Sequence, residues 1–215
     1  MGFQEHFLQR LRQLPERTAM QFPTGTLPER YKTAAVLLCF WPAEADRVEL
    51  VMTRRTEQVS SHQGQVSFPG GRVDAADPSS AAAALRETWE ELGIATELIT
   101  VMGRLDDAWS RYGHHVIPYV GWLEQRPLLR PNPREVAEVM IADMATLMRP
   151  EAEREHQVVF PKGNGATHVS KAYAWDGGYV WGLTADLLLE LILWIRGEPS
   201  NRGQARLERM RKFGV

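Results

Sequence analysis

Three glutamates lie close together near the end of the segment FPGGRVDAADPSSAAAALRETWEELGI, which covers residues 68–94. They are Glu87, Glu90 and Glu91, and their spacing of three and four residues brings the carboxylates together on one side of a helix. Clustered carboxylate oxygens repel one another when no cation is bound, and they suit a hard divalent cation such as Mg²⁺. The alternative is a solvated acidic surface, with which the spacing is equally compatible.

A pair of glycines precedes this helix. Gly70 and Gly71 follow Phe68 and Pro69, and they have no side chain that would block a ligand approaching the backbone. A glycine-rich turn that leads into a carboxylate-bearing helix is typical of a phosphate–metal site, because backbone amides help to hold the phosphates that the cation bridges. We therefore expect both glycines to contact a substrate.

The helix itself is predicted over about residues 78–92. Asp77 is suited to the N-cap, Pro78 to the first helical position and Gly93 to the C-terminal end. A rotation of about 100° per residue places four apolar residues on the side opposite the glutamates. These are Ala82, Leu85, Trp89 and Leu92. We expect Trp89 to pack in the core and Arg86 to hold the glutamates by ion pairing.

The pattern of apolar residues along the chain predicts a mixed sheet with helices packed on it. The predicted elements are a helix at 3–13, strands near 33–41 and 47–54, a loop over 55–77, strands near 97–104, 115–124, 136–142 and 171–175, and a helix at 184–196 that stops at Gly197. Strands and helices do not alternate regularly, which favours one α+β domain over 31–196. An N-terminal helix and lead-in (1–30) precede this domain, and a basic tail (197–215) follows it.

The composition excludes several classes of partner. The 215 residues are 44% hydrophobic and 24% charged with a formal net charge of -2, so no strong field favours nucleic acid or an anionic membrane. The apolar stretch 183–195 is too short to span a bilayer. A lone cysteine, Cys39, lies in an apolar run, where a buried inert thiol and a reducing compartment are expected. We predict a cytoplasmic protein with a small-molecule partner, and a homodimer remains open.

The segment from Gly71 to Ile94 resembles the Nudix box: Gly, five residues, Glu, seven residues, then Arg-Glu-apolar-x-Glu-Glu-x-Gly-apolar. Its second half corresponds to RETWEELGI, residues 86–94. Asp77 stands where the first glutamate of the box belongs, and one extra residue separates it from Arg86. No metal role is carried over to Asp77.

The run SHQGQVSFPGG at residues 61–71 is similar to the signature of the coenzyme A diphosphatase branch of the Nudix hydrolases, which also has the longer box. The segments RYGHHVIPYVG (111–121) and WGLTA (181–185) resemble that branch as well, so the resemblance covers about 31–196. At residue 60 the branch has an arginine and this chain has Ser60. Arginine is a strong phosphate ligand, and Arg55 is available nearby as a substitute.

The resemblance implies a Nudix-type α/β/α sandwich with a mixed sheet, and attack by water on a diphosphate that is activated by Mg²⁺ or Mn²⁺. The implied metal ligands are Glu87, Glu91 and Glu90. Glu90 is also a catalytic candidate that orients water, and Glu135 and Glu138 are candidates for the general base. The implied substrate-binding residues are Gly70, Gly71, Arg55 and His62.

The substrate implied first is coenzyme A or a derivative. One alternative is a Nudix hydrolase that acts on nucleoside triphosphates, oxidised nucleotides or ADP-ribose. Another is a catalytically silent Nudix module that senses a nucleotide. The intact Arg-Glu-x-x-Glu-Glu motif argues against a silent module, because a sensor has little need of all three carboxylates.

Overall fold

The computed structural model describes residues 1–16, 18–23, 25–56, 64–110, 113–159 and 167–212. The helices and strands are α1 (Phe3–Arg12), β1 (Lys32–Ala43), β2 (Arg47–Arg55), β3 (Val66–Ser67), β4 (Gly70–Arg72), α2 (Ser80–Leu92), β5 (Thr100–Arg104), β6 (Ala108–Ser110), β7 (His114–Trp122), β8 (Val136–Asp143), α3 (Met144–Leu147), β9 (Glu153–Val159), β10 (Thr167–Trp175), β11 (Gly178–Trp181), α4 (Gly182–Arg196) and α5 (Arg202–Lys212). Single 3₁₀ turns lie at Leu14–Glu16, Thr96–Leu98 and Pro150–Ala152.

The main sheet is mixed and is built around β1. Its strand order is β3-β2-β1-β7-β5, with β8 paired to β2, β4 to β1 and β6 to β7. Strands β1 and β7 run parallel, and the other pairs in this sheet are antiparallel. A second sheet has the order β11-β10-β9.

Strand β1 is buried on both faces, which explains its continuous apolar sequence. Leu37, Cys39 and Trp41 point to a core that α2 covers. Leu38 and Phe40 point to the opposite core, which α1 and α4 cover. Helices therefore cover both faces of the sheet, and the predicted α/β/α fold class is confirmed.

The buried thiol of Cys39 behaves as the sequence predicts. The residue is 0% exposed, and burial raises the pKa of the thiol, so the nucleophilic thiolate is strongly disfavoured. Among the described residues, no helix has both the length and the apolar character needed to cross a bilayer. A cytoplasmic location stays a prediction.

Several predicted element boundaries are wrong. The predicted loop at 55–77 contains β3 and β4, two short strands that pair with β2 and β1. The short strands β6, β9 and β11 and the helices α3 and α5 were not predicted. The segment described above as a basic tail forms α5, and Arg206 on this helix is 1% exposed. The division of the chain at residues 30 and 196 stays a prediction.

Helix α2 starts later than the sequence predicts. Its N-cap is Ser79, whose side chain accepts a hydrogen bond from the Ala82 amide, so the assignment of Asp77 and Pro78 to the helix start is wrong. The predicted end is confirmed, because Gly93 has φ 69° and closes the helix in the left-handed conformation. Gly197 ends α4 in the same way, with φ 74°.

The prediction that Trp89 is a core residue is also wrong. Its side chain is 56% exposed, whereas Thr88 and Glu91 are buried. The Thr88 hydroxyl donates to the Ala84 carbonyl at 2.7 Å, which satisfies this polar group inside the helix. The buried side of α2 is therefore rotated toward Thr88 and Glu91, and Trp89 faces outward.

The exposure of Trp89 predicts that Trp89→Ala changes the free energy of unfolding by no more than about 0.5 kcal/mol. Leu92→Ala, on the buried side of the same helix, is expected to cost about 2–5 kcal/mol. Urea denaturation of both variants tests this. A loss for Trp89→Ala as large as that for Leu92→Ala would contradict the orientation of the helix.

Candidate active site

Three carboxylates converge between α2 and the start of β8. Glu87, Glu91 and Glu135 each offer an oxygen atom, and these atoms lie within 4.8 Å of one another. Glu87 and Glu91 are one helical turn apart on α2, and Glu135 immediately precedes β8. We call this group the carboxylate cluster.

The end of α2 anchors the loop that carries Glu135. The Arg130 amide donates to the Leu92 carbonyl at 2.7 Å, and the Asn132 amide donates to the Glu91 carbonyl at 2.9 Å. These bonds satisfy carbonyl groups at the C-terminal turn of the helix. The Asn132 side-chain amide then donates to Glu135 Oε1 at 3.3 Å, which orients the third carboxylate.

The pairing of β2 with β8 brings the guanidinium of Arg55 next to the carboxylate cluster. Arg55 is opposite Val136 in the register, and Arg55 Nη1 lies 3.2 Å from Glu91 Oε1. The Thr53 hydroxyl lies 3.4 Å from Glu91 Oε2. The sequence singled out Arg55 but gave no indication that it contacts Glu91.

Burial sets the electrostatics of the cluster. Glu91 is 1% exposed, and burial raises the pKa of its carboxyl to about 8, against the opposing effect of Arg55. The charges of Glu87 and Glu135 raise this pKa further. The pKa of Glu87 is raised as well, chiefly by burial. In the absence of a cation, the ionised cluster is therefore unfavourable, and Arg55 offsets only part of the cost.

Gly70 and Gly71 allow the backbone of β4 to lie close to β1 and to the side chain of Glu87. A Cβ atom on Gly71 would lie 2.4 Å from Glu87 Cδ, so any larger residue would displace this carboxylate from its position. Gly70 has φ 150°, and a Cβ atom there would lie 2.3 Å from the Ala35 carbonyl oxygen. Both glycines thus fit β4 between β1 and Glu87, and their contact with a substrate stays a prediction.

Arg86 holds the carboxylates on one side of α2, as the sequence predicts. Its Nε and Nη2 donate to the two oxygens of Asp77 at 2.9 and 3.0 Å, and its Nη1 donates to Glu87 at 2.9 Å and to Glu90 at 3.0 Å. The hydrogen bond from Arg86 lowers the pKa of Asp77. Asp77 therefore acts as a partner of Arg86.

The remaining predicted residues lie apart from the cluster or outside the described residues. Glu90 is on the exposed rim of α2, held by Arg86. Glu138 pairs with Arg54 on the solvent side of the sheet. His62 lies outside the described residues.

Thr53 and Asn132 contact the cluster, and neither was predicted from the sequence. Asn132 lies between two prolines in PNPRE, which is a turn signal that indicates a structured loop.

An open depression of about 450 Å³ adjoins the cluster. It is lined by Trp89, Glu90, Gly93, Arg130, Asn132 and Glu135. The depression thus shares Glu135 with the cluster and extends past the end of α2.

Comparison with known proteins identifies the family. A family model for the NUDIX domain matches residues 31–162. The chain belongs to the Nudix family. The prediction of a Nudix hydrolase is thereby confirmed at the level of the family.

Relatives of this Nudix chain include "Uncharacterized Nudix hydrolase NudL" of Salmonella paratyphi B. The two are 35% identical over 196 residues, which cover 91% of this chain and 96% of that protein. "Nudix hydrolase 22, chloroplastic" of Arabidopsis thaliana is 32% identical over 187 residues, which cover 85% of this chain. The chain spans 62% of the length of that plant protein and 60% of "Nudix hydrolase 15, mitochondrial" from the same plant.

A solved MutT/nudix family protein from Enterococcus faecalis has the same fold. The TM-score is 0.51 at 17% identity, over 90% of this chain and 77% of the other. This likeness supports the fold assignment and carries no information on substrate. The coenzyme A branch stays a prediction.

Proposed function

We propose that this protein hydrolyses the diphosphate linkage of a nucleoside-diphosphate-linked substrate, with Mg²⁺ or Mn²⁺ held by Glu87, Glu91 and Glu135. The observation that carries the proposal is the convergence of three carboxylates within 4.8 Å, one of them 1% exposed. A buried acidic group of this kind costs free energy unless a cation compensates it. The donors are all oxygen atoms, which fits the preference of Mg²⁺ and Mn²⁺.

When bound, the cation would neutralise charge on the diphosphate and lower the pKa of a bound water molecule. The chain's own side chains would bind the phosphate groups of the substrate. Arg55 uses Nη1 on Glu91, and its side chain is 22% exposed. We propose that its other terminal nitrogen, Nη2, donates to a phosphate oxygen while Nη1 stays on Glu91.

Two carboxylates are available to accept the proton of the attacking water. Glu90 lies at the rim with one oxygen on Arg86, and we propose that it orients the water and takes its proton. Glu135, oriented by Asn132, is the alternative acceptor, which would use a carboxylate oxygen that does not bind the cation. The assignment of Glu138 as a base stays a sequence prediction, because its carboxylate is paired with Arg54.

Coenzyme A or a derivative is the substrate that we propose first, on the resemblance of residues 61–71 to the signature of that branch. One observation favours a second candidate: Ser60 replaces the arginine of the signature. A Nudix hydrolase that acts on nucleoside triphosphates, oxidised nucleotides or ADP-ribose has no need of that arginine. A silent nucleotide sensor is disfavoured, because all three glutamates of the Arg-Glu-x-x-Glu-Glu motif are present.

A substrate panel distinguishes the candidates. With Mg²⁺ present, we expect turnover of coenzyme A and only a weak preference over dephospho-coenzyme A, because Ser60 cannot grip the 3′-phosphate as arginine would. The control for each substrate is the same reaction in EDTA, which should abolish turnover. Rapid hydrolysis of ADP-ribose or a nucleoside triphosphate, with no hydrolysis of coenzyme A or dephospho-coenzyme A, would contradict the first candidate and support the second.

A further inference from the structure

The outward-facing side chain of Trp89 is unusual for its size and position. It is 56% exposed on a well-formed helix, one residue before Glu90 and two before Glu91. Single exposed apolar residues are common, and Leu98 and Leu128 are examples in this chain, at 54% and 74% exposed. Trp89 differs from these two because it lines the depression that contains Glu90 and Glu135.

A free cation lies in the same depression. Arg130 is exposed, and its guanidinium has no hydrogen-bond or ion-pair partner among the residues that the structure describes. Its backbone is fixed, because the Arg130 amide donates to the Leu92 carbonyl and its Cβ packs closely over Gly93. The backbone that carries this side chain is thus anchored at the end of α2.

We propose that this depression binds the nucleobase of the substrate, with Trp89 as the stacking platform and Arg130 as the cation that attracts the nucleotide. An aromatic face next to an arginine suits a flat ring that carries phosphate, since rings stack on tryptophan and anions are drawn to arginine. Glu135 belongs both to the carboxylate cluster and to the depression, so a diphosphate at the cluster directs its neighbouring nucleoside into it. This inference rests on the proposed function and adds a residue that determines specificity for the base.

The test uses two probes that differ only by the nucleoside. These are α,β-methylene-ADP and methylenediphosphonate, which resist hydrolysis because carbon replaces the bridging oxygen. Their dissociation constants are measured by calorimetry with Mg²⁺ for the wild type, Trp89→Ala, Arg130→Gln and Leu98→Ala. Leu98→Ala is the matched control, because it removes an exposed apolar side chain outside the depression.

We expect Trp89→Ala to weaken binding of α,β-methylene-ADP about tenfold, or about 1.4 kcal/mol, and to leave methylenediphosphonate within about twofold of wild type. Arg130→Gln should weaken both probes by similar factors, because its charge acts on phosphate. Leu98→Ala should change neither. Trp89→Phe should restore most of the selectivity for the nucleotide, because a phenyl ring also stacks.

Equal affinities of Trp89→Ala and wild type for the nucleotide would overturn the proposal, as would equal losses for both probes. A wild type that binds the nucleotide no better than methylenediphosphonate would overturn it too. Failure of the proposed function has a different signature: selective binding of the nucleotide with no Mg²⁺-dependent turnover of any diphosphate by the wild type.

Discussion

Glu91→Gln is expected to lower kcat/KM for the diphosphate substrate by about 10²–10⁴-fold and to leave the protein folded. Charge stabilisation at a phosphoryl centre commonly contributes this much, and the amide removes a charged oxygen from the carboxylate cluster. Glutamine keeps the shape of the side chain and removes a buried charge whose raised pKa indicates that it is unfavourable in the metal-free fold. Glu87→Gln should behave in the same way.

Steady-state kinetics at several Mg²⁺ concentrations, together with the melting temperature of each variant, measure this effect. Glu97→Gln is the matched control, because Glu97 is exposed on the turn after α2 and should retain wild-type activity. Near-normal rates for both Glu87→Gln and Glu91→Gln at saturating Mg²⁺ would refute the metal assignment.

Arg206→Met is expected to cost about 3–5 kcal/mol in the free energy of unfolding. Arg206 is 1% exposed, donates to Asp186 Oδ2 and to Glu190 Oε2 at 2.6 Å each, and joins α5 to α4. Removing it takes from the buried Glu190 carboxylate the guanidinium nitrogen that lies 2.6 Å away, while Asp186 keeps its ion pairs with Arg202 and Arg209. Breaking a buried ion pair from one side is strongly destabilising. The Glu190 carboxylate also accepts from the Asp106 amide at 2.8 Å, so the network ties the loop before β6 to both helices.

Chemical denaturation of Arg206→Met and Arg209→Met tests this role of α5. Arg209 lies on the same helix and approaches the same Asp186 at 3.3 Å, but it is far more exposed, so its loss should cost no more than about 1 kcal/mol. In a double-mutant cycle, Glu190→Gln should recover part of the loss in Arg206→Met. Equal stabilities of Arg206→Met and wild type would mean that the ion pairs of Arg206 do not stabilise the fold.

The sequence predicted the chemistry of α2 more accurately than its orientation. Glutamates at positions i, i+3 and i+4 are neighbours on any helix. A glycine such as Gly93 is a reliable helix end, because glycine readily adopts the left-handed backbone conformation found there. Which side is buried depends on what the helix packs against. Trp89 was predicted inside because apolar character was the only criterion, and the fold instead buries Glu91, next to Arg55 and Thr53 on β2.

The sequence named Glu90 as the third metal ligand and gave Glu135 and Glu138 only as candidates for the general base. In the fold it is Glu135 that lies beside Glu87 and Glu91. The pairing of β8 with β2 gives Glu135 and Glu138 different surroundings. Glu138 is opposite Arg54 and pairs with it, whereas Glu135 lies beyond Val136 and reaches the cluster. Strand register is a property of two segments about 80 residues apart, and local pattern does not encode it.

The same limit applies to the C-terminal segment. The sequence was interpreted there as a basic tail outside the domain, on the charge of its residues alone. Asp186 and Glu190 were visible in the apolar helix that precedes it, but only the fold reveals that they are the partners of Arg206. Buried charges that compensate one another across distant segments are not recognisable from composition.

Crystals grown with Mn²⁺ test most directly whether a divalent cation binds to Glu87, Glu91 and Glu135. We expect an anomalous scattering peak between these three carboxylates in the wild type, and loss of that peak in crystals of Glu91→Gln that keep the same fold. A peak elsewhere with none at the cluster, or an unchanged peak in Glu91→Gln, would contradict the metal assignment.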